Sequence, residues 1–87
     1  MTAETLSSKY IVNTEKTLKQ IQWAKGPLTT TQEQINQIIQ HVSAYLQDAK
    51  YYSNQKQFET SLTSIAYCEG LLDALKIIGA VKTPDSP

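Results

Sequence analysis

The most regular stretch of the chain is Ile35, Ile38, Val42, Tyr45, Ala49 and Tyr52, with steps that alternate between three and four residues. That alternation is the period of one helix face, and Ile39 and Leu46 widen the stripe. A capping signature precedes it: in Thr30-Thr31-Gln32-Glu33 the Thr30 hydroxyl and the Glu33 side chain can satisfy each other's orphan amides. The pattern predicts a core helix over about 31–53. Upstream, Leu6, Tyr10, Leu18, Ile21 and Ala24 form a thinner stripe, with Ile11 on its flank and Thr14 and Thr17 interrupting it. A helix over about 4–25 is expected there, closed by Gly26 in the left-handed position and by Pro27, which cannot continue it. A third helix is expected over about 57–78, from Gln57 or Phe58 to a stop at Gly79.

No segment alternates with the period of a strand. The break at 53-SNQKQ-57 is short, and short connections make antiparallel neighbours. The expected fold is all-α: an antiparallel up-down-up three-helix bundle with a long αα-hairpin, the first helix packed across it. Residues 1–82 read as one domain and 83–87 as a flexible tail. At 87 residues the chain is at the small end of what buries an adequate core, so close helix packing or oligomerisation is expected to supply the rest.

Charge narrows the partners. Eight Lys+Arg, all lysine, balance eight Asp+Glu, and there is no arginine. Nucleic-acid affinity draws on clustered basic charge and on bidentate arginine contacts, so scattered lysines argue against it. The longest uninterrupted apolar run, Ile77–Val81, is far short of a membrane span, and no basic amphipathic face or signal segment is visible. A cytoplasmic location is expected. The low charged fraction and the many Gln, Ser and Thr fit a mesophile. Cys68, alone in an apolar helix, reads as an inert core thiol.

Catalytic constellations are missing. His41 has no second histidine and no HExxH around it, and three scattered glycines cannot build a phosphate loop. No cofactor and no metal are expected, and the sequence points away from an enzyme. What remains is a polar decoration. In 64-SIAYCEGLLDAL-75 the line Phe58, Leu62, Ile65 is continued by Glu69, Asp73 and Lys76, while the apolar face swings to Leu71, Leu72, Leu75 and Ile78. The carboxylates are therefore expected near a helix interface where the packing face rotates. His41, Tyr45, Asp48 and Tyr52 line one edge of the second helix at i, i+4, i+7 and i+11. If that edge faces the third helix, Asp48, Glu69, Asp73, Tyr45, Tyr52 and His41 form a shared polar cluster, a candidate site for a cationic or hydroxyl-bearing ligand. The alternative is a half-solvated helix edge. Gly70, with Tyr67 beside it, is a candidate packing determinant that lets a helix or a ring such as Trp23 or Tyr10 approach closely. Trp23 and Val12 lie off the apolar face of the first helix and are a candidate interaction surface.

At these residues the sequence resembles a known family. The segment 45-YLQDAKYYSNQKQFETSLTSIAYCEGLLDALKIIG-79 is similar to the short archaeal proteins catalogued as domain of unknown function 357. Asp48-Ala49, Tyr52, Tyr67, Glu69, Gly70, Leu72, Asp73 and Ala74 stand at matching positions. Cys68 and Ser61 replace alanines of similar volume. The resemblance implies a compact three-helix archaeal protein with no assigned activity. In some members a similar segment accompanies a nucleotidyltransferase-like domain, which implies an accessory or regulatory role. A weaker likeness to HEPN helical bundles carries no RNase activity over, because their Arg-x4–6-His motif needs an arginine. The residues and the resemblance together point to a non-catalytic module that contacts a larger protein partner or itself, as a homodimer. The ligand-binding bundle is the alternative.

Overall fold

The structure, a computed structural model, describes residues 2–84 and contains three helices: α1 (Ala3–Gln20), α2 (Gln32–Asn54) and α3 (Phe58–Ile77). No strand occurs among the described residues. Residues 85–87 of the expected tail lie outside them.

α2 follows the apolar stripe that predicts it, and its cap is displaced by one residue from the expected one. Thr31 is the N-cap: its Oγ1 accepts from the Gln34 amide at 3.1 Å, and the Gln34 Oε1 accepts from the Thr31 amide at 2.9 Å. Thr30 stands behind the box and donates its hydroxyl to the same Gln34 Oε1 at 3.1 Å. Both pairs of residues satisfy the Thr-x-x-Glu/Gln spacing.

α2 and α3 pack as the expected antiparallel hairpin. Their connection is closed by the C-terminal motif of α2. The Lys56 amide donates to Ser53 O at 3.0 Å and the Gln57 amide to Tyr52 O at 2.8 Å, which is the 5→2 and 6→1 pair of a Schellman turn. Lys56 sits at φ 61°, where a glycine is usual. The same motif closes α3: Gly79 at φ 75° donates to Lys76 O at 3.0 Å, and Ala80 to Leu75 O at 2.9 Å. That stop is where the sequence places it.

α1 departs from expectation in two ways. It ends at Gln20, five residues early, with Ile21 already extended at ψ 144°, and Gly26 takes its positive φ in the following loop rather than as a helix cap. It also stands clear of the hairpin: α1 is in close contact with neither α2 nor α3, and none of its residues is buried. The two facts share a cause. Thr5, Ser7, Ser8, Asn13, Thr14 and Thr17 give α1 weak intrinsic helicity, and without tertiary packing the poor helix formers Ile21 and Trp23 are not held in it. The all-α class and the hairpin are as the sequence predicts, while the first helix is not closed over them.

The core is correspondingly small. Ala49, Cys68 and Leu75 are its buried apolar residues, Leu75 being 1% exposed, and Ser64 is buried beside them. A compact monomer of 9.7 kDa exposes roughly 5,100 Å², whereas this chain exposes 7,921 Å². Its radius of gyration is 15.9 Å, against roughly 12 Å for a compact domain of this length.

The candidate site on the hairpin

The seam between α2 and α3 is built from small residues near the turn and larger ones away from it. On α3 the covered positions are Ser61, Ser64, Ile65, Cys68, Leu71, Leu72 and Leu75, a single unbroken stripe. The packing face therefore does not rotate, and the expected line through Phe58 and Leu62 was the wrong one: they are 63% and 70% exposed. The polar character of Ser61 and Ser64 concealed the true face. Small side chains on it let the backbones approach until α3 reaches the carbonyls of α2. The Ser61 hydroxyl donates to Ala49 O at 2.7 Å, and the Cys68 thiol to Val42 O at 3.3 Å. Among the described residues no fully buried side-chain nitrogen or oxygen is left without a hydrogen-bond partner.

This face leaves Glu69 and Asp73 outside the seam, and both are exposed. Correcting the stripe corrects their position: they stand beside Cys68 and Leu72 in sequence but on the outward part of the wheel. Lys76 is exposed as well. A Cβ added at Gly70 would meet nothing within 4 Å, so no helix or ring approaches the backbone there, neither Trp23 nor Tyr10.

On α2, Asp48 and His41 are exposed and Tyr52 is half-buried. Tyr45 stacks across the hairpin on Tyr67, ring centroids 4.4 Å apart and planes tilted by 33°, and Tyr51 meets Tyr52 edge-on at 5.4 Å. Tyr67 thus contacts the opposite helix through its ring, a pairing signalled in the sequence only by two tyrosines at opposing levels of a hairpin. His41 lies over a shallow cleft of about 160 Å³ between α2 and α3, lined with Gln37, Ile38 and Leu71. Neither Glu69, Asp73 nor Asp48 lines it. The structure pairs Tyr45 with Tyr67 and Tyr51 with Tyr52, and none of the three acids lines the cleft. Among the described residues no three His, Cys, Asp or Glu side chains converge as metal ligands would.

Trp23 is 91% exposed, beyond the end of α1, and Val12 is exposed on α1 itself. No helix among the described residues is long and apolar enough to cross a membrane. The chemistry such an arrangement offers is that of apolar faces and of a stacked tyrosine pair, carried on an αα-hairpin with an appended helix.

That architecture defines a class, the small all-α hairpin proteins. Within it the chain belongs to the family described as protein of unknown function (DUF357), whose model matches residues 9–81. No curated protein and no solved structure matches it.

Proposed function

We propose that this protein is a non-catalytic helical module that works through protein contacts made by the apolar faces it leaves uncovered. The observation that supports this reading is its surface: 7,921 Å² exposed, roughly 2,800 Å² more than a closed chain of this mass would show. Leu6, Tyr10, Ile11 and Leu18 on α1, and Phe58 and Leu62 on α3, are all exposed together. Large apolar side chains exposed in groups mark contact surfaces. The ligand-binding alternative needs a pocket lined by the carboxylates, and the cleft between the helices contains none of them.

Sedimentation velocity and binding of an apolar-surface dye test the reading together. The free chain is expected to bind the dye at low micromolar concentration and to sediment with an elevated frictional ratio or as an assembly. A compact monomer that binds no dye overturns it.

A further inference from the structure

We infer that the occupant of the hairpin's open face is α1 of a second copy, exchanged reciprocally in a twofold dimer. This rests on the reading above and names its partner. Take Val42, Ala49, Cys68 and Leu75 as the seam of an antiparallel pair. Ser61 occupies a seam position too. Positions three residues before or four residues after a seam position then fall on the same side of the hairpin on both helices. On that side stand Ile39 and Leu46 of α2 with Phe58, Ile65 and Leu72 of α3, and Leu62 lies next to them. On the opposite side stand His41 and Tyr67, closed by the Tyr45–Tyr67 stack. The first side carries an apolar row that α1 of the same chain does not cover, since α1 contacts neither helix.

α1 has the dimensions of the missing helix. Its apolar stripe from Leu6 to Leu18 spans roughly 18 Å, and the groove from Phe58 to Leu72 roughly 21 Å. The segment joining α1 to α2 leaves the helix extended at Ile21, bends at Lys25–Gly26 and contains Pro27, and α1 makes no contact with its own hairpin. Its reach, roughly 36 Å when extended, is enough to deliver α1 to a neighbouring copy. The area agrees. Two chains that close even half of an excess of roughly 2,800 Å² each against one another reach the scale of a stable dimer interface. By symmetry each groove receives one helix and each chain donates one, so the assembly closes at two.

Light scattering of the unmodified chain and cross-linking of mixed single-cysteine chains test this. Leu18→Cys and Leu62→Cys, each combined with Cys68→Ala, are made in separate chains, mixed, partly unfolded together, refolded and treated with a short bis-maleimide. The same two substitutions with Cys68 retained give a second pair, because that thiol is only 4% exposed. Both positions are largely exposed in the single chain, so neither substitution removes a core residue. The expected result is a mass of twice 9.7 kDa, together with a mixed product that links Leu18→Cys of one chain to Leu62→Cys of the other. A dimer linked only through Leu62→Cys to Leu62→Cys overturns the exchange and leaves the protein-contact reading standing. A dye-binding monomer does the same. A compact monomer that binds no dye overturns both.

Discussion

The hydroxyl of Ser61 donates to the backbone carbonyl of Ala49 at 2.7 Å, across the hairpin and one turn from its bend. The thiol of Cys68 repeats the contact on Val42 O at 3.3 Å. The two donors are seven residues apart on α3, and so are the two acceptors on α2. The pair therefore fixes the register of the helices, because a slip of one turn would break both contacts and drive larger side chains into the narrow part of the seam.

Size at the seam is the first quantity to test. Ser64→Leu adds a large side chain at a buried position of the seam and is expected to destabilise the protein by about 1–3 kcal/mol. Ser61→Ala removes one hydrogen bond and is expected to cost about 0.5–1.5 kcal/mol. Urea unfolding at a fixed chain concentration measures both. If Ser64→Leu raises stability instead, the seam is not closed there and the packing face has been misplaced.

The bend offers a second test. Lys56 at φ 61° occupies a conformation that costs a side-chain-bearing residue more than it costs glycine. Lys56→Gly is expected to stabilise the hairpin by about 0.5–1 kcal/mol, net of the glycine's larger entropy loss. The midpoint of thermal unfolding should rise by a few degrees. An unchanged or lowered midpoint would mean that the Lys56 side chain contributes something its backbone does not reveal.

The third concerns the outward row of α3. Gly70→Ala places a methyl group in open space inside a helix and is expected to stabilise by up to about 1 kcal/mol. Glu69→Gln, at an exposed position, is expected to stay within about 0.5 kcal/mol. Neither should change the assembled mass. A loss of stability or mass in Gly70→Ala, seen by calorimetry with light scattering, would show that a partner lies against this row.

Much of the hairpin was legible from residue spacing alone. The stripe from Ile35 to Tyr52 is unambiguous because its apolar residues are large and regularly placed, and the Gly79 stop follows from a conformation that only glycine adopts at low cost. The face of α3 was misread because Phe58 and Leu62 are the larger apolar residues while Ser61 and Ser64 do the packing. Hydrophobicity ranks the former pair above the latter, whereas close helix approach prefers small volumes. From that one error followed the placement of Glu69 and Asp73 at an interface. The Thr30–Glu33 cap was off by one because both registers obey the same spacing. The position of α1 could not be read from spacing, since an amphipathic stripe states that a face is to be covered and not by which surface.

The three-residue connection at Gln55, Lys56 and Gln57 also sets an order of events. It keeps the contacts of α2 with α3 close in sequence, and local contacts form on microsecond to millisecond timescales. Docking of α1 onto a second chain is bimolecular, so its rate should scale with protein concentration. Refolding should thus resolve into a fast phase that is indifferent to dilution and a slower one that dilution retards.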